Sequence, residues 1–402
     1  MPMKSKFHPE KGLLFKIVYR DKKYREKMSK SIIKNHLKPY PDEIFTSWLA
    51  RNATINFLQT PTFITYFFPE YKNRLLNRDA DVLLSEDMAQ NFAKRMLLNK
   101  KIIFNTSLQS YAGFLNETIE TKTRNHLISP IKIKGTYPNI KGLKYCPYCL
   151  KENEYFKKEW RLSFYTVCPQ HKCFLLDKCP QCEEPVLLTK RKLDIPSFNC
   201  WNCGFIYKNA EVEKIHPNSL SVEYLADALK ILKEGYFTFN GKWYYSIFYF
   251  RILKHIAKLI YQYGYRSCYT FEKEKELHKI NITSQEKIKG KFLEEIITLK
   301  ESFIVFTAAF SILSSLKNFE YYVNLNNIPI YKLNQDLNYL PFWYEKVIGK
   351  FYKQAYYVTF EEAKNACEWM KKRSIQPSYL GLSKLLGVKL DKRKRPELIS
   401  LF

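Results

Sequence analysis

The feature that most constrains this chain is a set of four C-x-x-[CH] pairs between residues 146 and 203. Zinc sites in proteins use four thiolate or imidazole ligands in a tetrahedron, and a C-x-x-C turn presents two of these ligands together. Four such units in succession are improbable by chance. We therefore predict that the following residues bind metal: Cys146, Cys149, Cys168, His171, Cys179, Cys182, Cys200 and Cys203.

The spacing of the pairs favours two sites of four ligands each. Eighteen residues separate the first pair from the second, and seventeen separate the third from the fourth. Sequential pairing gives one site of three cysteines and a histidine and one of four cysteines, although pairing across the two blocks stays open. Cys173 is an alternative ligand to His171. Because four protein ligands leave no position for a reacting water, we predict two structural Zn²⁺ ions that contribute folding free energy.

The charge of the chain indicates a polyanionic partner. The 402 residues include 66 Lys and Arg against 39 Asp and Glu, a formal net charge of +27. Such an excess favours nucleic acid over a membrane surface as the partner. A lysine-rich, AT-biased genome would account for part of the excess.

The N-terminal sequence MPMKSKFHPEKG contains no apolar segment of the kind found in secretory leaders. Ten cysteines in such a chain argue for metal binding and against a disulfide framework. We expect a cytoplasmic protein. The longest apolar run, residues 302–316, is shorter than the ~20 residues that a membrane span needs, so we predict a buried helix there and no membrane partner.

Composition and apolar periodicity divide the chain into four regions and predict a mainly α fold with small zinc-binding α+β modules. The predicted regions are a basic N-terminal extension (1–36), a helical N-terminal domain (37–130), a tandem zinc knuckle or ribbon block (140–208) and a helical C-terminal region (209–402). Within them, helices are predicted at 80–99, 107–118, 219–234, 245–263, 285–317 and 359–373, and a strand at 160–167.

Two stretches of this sequence resemble the TniQ/TnsD family of bacterial transposon target-selection proteins. The first is LKPYPDEIFTSWLAR at 37–51, and the second is YCPYCLKENEYFKKEWRLSFYTVCPQHKCFLLDKCPQC at 145–182. The shared order is a Pro-Asp-Glu opening, Ser-Trp-Leu, C-P-x-C-L, a Trp-Arg-Leu segment, C-P-x-H, Leu-Leu and C-P-x-C. The resemblance covers roughly residues 37–203, less than half of the chain.

The resemblance implies a protein that recognises a target and recruits a TnsC-type AAA+ ATPase, which in turn delivers the transposase. Some members of the family read an attachment site in double-stranded DNA directly. Others are adapters on an RNA-guided CRISPR effector (Cascade-type) complex, and both modes stay open here, as does a homodimer. The eight metal-binding residues predicted above correspond to the zinc ligands of the family.

A helix-turn-helix candidate lies near residues 378–400. A helix from Ser378 to about Leu386, a turn at Gly387 and a second helix beginning at Asp391 would match this motif, whose second helix enters the major groove. Pro396 would shorten or break that helix, and a basic surface tail that makes no base contacts is an equal alternative. The candidate nucleic-acid-binding residues are Lys389, Lys392, Arg393, Lys394 and Arg395.

The sequence lacks the signatures of the enzymes that act on transposon DNA. It has no G-x-x-x-x-G-K-[ST] phosphate-binding loop, and no cluster of acids of the kind that holds two Mg²⁺ ions stands out. We therefore expect a protein that recruits others and is not an enzyme. A zinc-containing nuclease is the distant alternative, because carboxylates far apart in sequence can converge in space.

Overall fold

The computed structural model describes residues 31–131, 141–190, 195–196, 198–216, 219–264, 293, 297–337, 340–351, 358–388, 390, 392–393 and 395–402. It divides the chain into two compact units, Met1–Lys332 and Leu333–Phe402. The predicted fold class is confirmed, because the described chain is mainly helical, has few and short strands, and contains two Cys/His clusters. Most of the predicted N-terminal extension and the isolated Cys268 lie outside the described residues.

Six helices and an aromatic core form the N-terminal part of the first unit. Trp48, Phe45 and Phe68 surround Phe92, whose ring stacks on that of Phe68 at a centroid distance of 3.8 Å. These rings are fully buried. The helices are Phe45–Ile55 (α1), Thr60–Phe67 (α2), Lys72–Asn77 (α3), Ala80–Leu83 (α4), Glu86–Met96 (α5) and Lys100–Phe104 (α6), with 3-10 helices at Pro69–Tyr71 and Leu108–Tyr111.

Two predicted helices differ from the structure in this region. Residues 80–99 form two helices, because Ser85 caps a new one: its Oγ accepts a hydrogen bond from the backbone N–H of Met88 at 3.3 Å. The segment 107–118 contains only the short 3-10 helix that Ser107 caps.

The metal-binding region has little regular structure of its own. It contains the helix Pro147–Glu152 (α7), the paired strands Val167–Cys168 (β1) and Cys173–Phe174 (β2), and 3-10 helices at Lys158–Arg161 and Tyr207–Asn209. The predicted strand at 160–167 is wrong except for its last residue. Every residue from 160 to 168 is buried. Residues 161–163 form an isolated antiparallel bridge with residues 127–129, and Val167 pairs with Phe174 of β2, so no single partner strand runs along the whole segment.

The helices that follow the metal-binding region pack against it within the same unit. Phe164 contacts the rings of Phe250, Phe306 and Phe310 at centroid distances of 5.7 to 6.1 Å. The predicted region 209–402 is therefore divided in the structure, with its first part in the same compact unit as the metal-binding region. The elements here are Leu220–Glu234 (α8), Tyr236–Phe239 (β3), Lys242–Tyr245 (β4), Ser246–Tyr263 (α9), Leu299–Ser314 (α10) and Leu316–Leu325 (α11).

Helix α10 covers most of the long apolar run of the sequence, and most of its residues are buried. Of the helices that the structure describes, none is by itself long and apolar enough to cross a membrane. Helices α10 and α11, bent by 119° at their junction, pass that test of length and composition only as a pair.

The end of the chain forms a small core of its own in the second unit. Cys367 and Met370 pack against Leu382, and Val358 packs against Leu398. The predicted helix after Ser378 and the turn at Gly387, which has a φ of +66°, are both present. The remaining helices are Ile330–Asn334 (α12), Phe342–Gly349 (α13), Phe360–Lys372 (α14) and Tyr379–Leu386 (α15), with a final 3-10 helix at Pro396–Leu401.

Candidate metal centres and their attachment to the helical core

The structure brings the first four predicted ligands together. The Sγ atom of Cys149 lies 3.6 Å from that of Cys168 and 3.3 Å from Nδ1 of His171. Nδ1 also lies 3.5 Å from Cys168 Sγ and 3.6 Å from Cys146 Sγ. A tetrahedral zinc ion needs about 3.8 Å between two sulfurs and about 3.6 Å between sulfur and nitrogen, so these donor atoms fit the ion.

Local backbone structure positions these four side chains. Cys146 immediately precedes α7 and Cys149 lies in its first turn, with Pro147 at the first helical position, where a missing N–H costs nothing. Cys168 ends β1, and its carbonyl accepts a hydrogen bond from the N–H of Lys172 at 2.8 Å. That tight turn returns His171 toward the end of α7.

The imidazole of His171 is oriented by a carboxylate on the far side of the ring. Its Nε2 lies 3.0 Å from Oε1 of Glu152, and Nε2 of Gln170 donates to the other carboxylate oxygen at 2.9 Å. A carboxylate at Nε2 favours the tautomer whose Nδ1 lone pair is free to bind metal. Sequence reasoning missed Glu152, although its position three residues after Cys149 on one helix predicts the same face.

Replacing Glu152 by alanine should lower the affinity of the first cluster for Zn²⁺ by about 10- to 100-fold, because the imidazole loses its orienting partner. The affinity would be measured by competition with a chromophoric chelator. Glu154→Ala is the matched control, since Glu154 is two residues further along the chain and pairs with Lys208 at 3.2 Å, in an ion pair whose two side chains are about half exposed. Equal affinities in the two variants would contradict the role given to Glu152.

Cys173 lies beside the first cluster but outside its four-donor set. Its side chain is fully buried, and its Sγ lies 3.6 Å from that of Cys146. The four donor atoms that lie within 4.8 Å of one another belong to Cys146, Cys149, Cys168 and His171. The geometry therefore groups His171, and not Cys173, with the three cysteines.

The second cluster contains the four remaining predicted ligands: Cys179, Cys182, Cys200 and Cys203. The Sγ atoms of Cys179 and Cys203 lie 3.6 Å apart, as do those of Cys182 and Cys200. These distances also fit the sulfur pairs of a tetrahedral zinc site. The donor sets follow the sequential pairing of the knuckles.

The two turns of the second cluster have the same hydrogen-bond pattern. In one, the carbonyl of Cys179 accepts from the N–H of Glu183 at 2.9 Å; in the other, that of Cys200 accepts from Gly204 at the same distance. Each turn is completed by a residue of positive φ, +57° at Glu183 and +80° at Gly204. The turn therefore folds the same way even where the residue that suits it, glycine, is absent.

The motif at 37–51 joins the helical core to the first cluster. The N–H of Phe156, between the first two ligand pairs, donates to Ser47 Oγ at 2.9 Å, and that of Ile44 donates to the Phe156 carbonyl at 3.0 Å. Ser47 Oγ in turn donates to the buried carboxylate of Glu43, which also pairs with Arg51 at 2.6 Å. Ser47 and Glu43 of the motif therefore attach the segment between the ligand pairs to α1, whereas Trp48 is part of the aromatic core.

This attached unit of helices and first cluster is the part of the chain that a known family matches. Residues 35–175 match the TniQ family model. The chain carries a TniQ domain. The match supports membership of the TniQ family, whose members are non-catalytic adaptors of transposition, and with it a role in transposon target selection in general. No curated protein matches the chain.

The boundaries of the TniQ domain follow the structure closely. The match begins before α1, includes the first cluster and ends at the strand β2. It extends beyond the predicted helical domain 37–130, because the first cluster packs on α1. The second cluster and the helices from α8 onward lie outside the match.

A buried ion pair inside the TniQ domain joins the segment between the ligand pairs to α4. Arg161 lies 2.5 Å from Asp79 and 3.0 Å from Asp81, and it donates to the Ser129 carbonyl at 2.9 Å. Asp81 is fully buried and also accepts from the N–H of Thr46 at 2.8 Å. Burial raises the pKa of Asp81 to about 6, and the positive charge of Arg161 opposes that rise. The ionised carboxylate thus depends on Arg161.

The candidate nucleic-acid-binding residues of the second unit are not equivalent. Lys392 and Arg393 are exposed, whereas Lys389 and Lys394 lie outside the described residues. Arg395 pairs with Glu397 and donates from Nη1 to the Val358 carbonyl at 2.8 Å, so it contributes to the local fold.

The second helix of the helix-turn-helix candidate also differs from the prediction. Asp391 lies outside the described residues, and the regular structure that the described residues form after Gly387 is the 3-10 helix Pro396–Leu401. Pro396 is its first residue, since a proline at that position needs no hydrogen-bond partner for a backbone N–H.

Proposed function

We propose that this protein acts in the cytoplasm as a target-selection protein of a bacterial transposon, binding target DNA and recruiting a TnsC-type AAA+ ATPase that delivers the transposase. The match of residues 35–175 to the TniQ family carries the proposal. The net charge of +27 supports DNA as a partner, since a basic protein attracts a polyanion over a long range.

The chemistry of the two clusters supports recruitment over catalysis. Each has four protein donors, a set that completes the coordination of a structural Zn²⁺ and leaves no site for an activated water. When bound, the ions would stabilise the fold. Glu152 and Gln170, beside the first cluster, orient the ligand His171, a role in metal binding.

Association with the ATPase tests the recruitment role. The full-length chain, carrying an affinity tag, should retain the ATPase of its own transposon in the presence of ATP. An unrelated AAA+ ATPase is the control and should not be retained. The recruitment role is wrong if the cognate ATPase washes through with the unrelated one.

Binding to DNA separates direct site reading from the adapter alternative. A direct reader should bind its attachment-site duplex about a thousandfold more tightly than random duplex at one stated salt concentration. An adapter on an RNA-guided effector complex should bind both duplexes equally and co-purify with the effector instead. Cleavage of plasmid DNA with Mg²⁺ or Mn²⁺ would contradict both and favour a nuclease.

A further inference from the structure

The hairpin of β3 and β4 presents three aromatic rings to solvent on one of its faces. Residues that lie opposite each other in an antiparallel pair share a face, and Tyr236 pairs with Tyr245 while Thr238 pairs with Trp243. The exposed fractions of these residues are 42% for Tyr236, 65% for Tyr245 and 71% for Trp243. We call these three residues the aromatic face.

The aromatic face is not needed to cover the core beneath the hairpin. Phe237, on the opposite face, is buried and contacts the rings of Tyr244 and Tyr249. The core side of the hairpin is thus packed by its own aromatic contacts. Three large rings on the other side leave a contiguous apolar surface in water, a feature that usually marks an interaction site.

The hairpin holds this face in a fixed position. Its turn is Asn240-Gly241, both with positive φ, the two-residue turn whose twist matches that of paired strands. At its base, the N–H of Ser246 donates to the Gly235 carbonyl at 2.9 Å, and Ser246 Oγ donates to the Phe114 carbonyl at 2.7 Å. Helices α8 and α9 continue directly from the two ends. Because the hairpin is already held in place, binding to the aromatic face would cost less conformational entropy.

The net charge of the chain, +27, favours a negatively charged ligand. Near the hairpin, Lys233 is exposed three residues before β3, whereas Lys242 pairs with Phe239 and so lies on the face opposite the three rings. Exposed rings on a basic protein are a combination by which proteins bind single-stranded nucleic acid, since rings stack on bases and amines contact phosphates.

We infer that the aromatic face stacks on unpaired bases of the target DNA, a role that rests on the proposed function and adds a site to it. In a duplex the faces of the bases are covered by their neighbours, so the rings of Tyr236, Trp243 and Tyr245 can stack only where the strands have opened. The face binds bases of any sequence, because every base has a face on which a ring can stack.

Trp243→Ala in the full-length chain should weaken binding to a thymidine oligonucleotide of about twelve bases by roughly 5- to 150-fold, the range of one lost stack. Trp243→Phe keeps a ring and should stay within about threefold of the unchanged protein. Tyr321→Ala is the matched control: Tyr321 is an exposed aromatic residue of the same unit, on α11, outside the hairpin.

Tryptophan fluorescence gives an independent reading. Binding of the oligonucleotide should quench the emission of the unchanged protein, and the quenching should be lost in Trp243→Phe although binding is kept. The inference would be overturned if Trp243→Ala bound the oligonucleotide with unchanged affinity. It would also be overturned if the variant lost affinity for duplex DNA alone. If Trp243→Ala weakened binding to the ATPase and left binding to the oligonucleotide unchanged, the inference would also be overturned. The face would then bind a protein partner, and the proposed function would stay intact.

Discussion

Replacing Cys146 by serine should reduce the zinc content of the purified protein from two ions to one and sharply lower its soluble yield. Zinc-finger peptides gain an apparent ~10–16 kcal/mol from their ion, whereas whole domains are stable by only about 5–15 kcal/mol. The first cluster holds together a region of short strands and turns that packs on α1, so losing the ion should unfold this region. Zinc would be measured by atomic emission and unfolding by circular dichroism.

Cys173→Ala is the control for this experiment, because Cys173 is a buried thiol 3.6 Å from Cys146 Sγ but outside the four-donor set. This variant should keep two zinc ions and most of its soluble yield. Full folding with two ions in Cys146→Ser would show that Cys146 is not a ligand. Loss of an ion in Cys173→Ala would exchange the roles given to the two neighbouring thiols.

Replacing Arg161 by methionine should cost about 3–5 kcal/mol of unfolding free energy, the range for breaking a buried ion pair by removing one partner. Arg161 is 1% exposed and Asp81 is fully buried, so the change leaves a carboxylate without a countercharge inside the TniQ domain. Because no metal ligand is touched, the zinc content should stay at two ions. Urea denaturation followed by circular dichroism would measure the loss.

Two further variants show whether the loss comes from the unpaired charge. Replacing Asp79 and Asp81 by asparagine in the Arg161→Met background removes that charge and should recover most of the stability. Lys208→Met, which breaks the exposed pair with Glu154, should cost at most about 1 kcal/mol. A cost as small for Arg161→Met would mean that the pair does not stabilise the attachment to α4.

These two predictions concern the same physical link between the helical core and the first cluster. The ligand pairs bracket the segment that carries Phe156 and Arg161, and that segment contacts α1 and α4. An ion at the first cluster would therefore stabilise the attachment as well as the local turns. Its contribution to target selection would be indirect, through the shape of the TniQ domain.

Sequence alone determined those parts of the fold that depend on neighbouring residues. The eight predicted metal ligands follow from the two-residue gaps of the knuckles, since each gap is closed by one local turn. Helices such as α8, α9 and α14 follow from their apolar periodicity. The hairpin of β3 and β4 was predictable on the same terms, because Asn240-Gly241 between two aromatic runs is a strong local signal.

Tertiary structure decided the features whose partners are distant in sequence. Arg161 meets Asp79 and Asp81 across about eighty residues, and Glu152 meets His171 only because the ligands fold α7 against the turn after β1. Residues 160–167 carry the composition of a strand, but residues 161–163 pair with residues 127–129 and residue 167 pairs with β2, so the distant partners divide the segment. A local pattern states what a segment can form, and the contacts made by the folded chain decide which of its side chains act together.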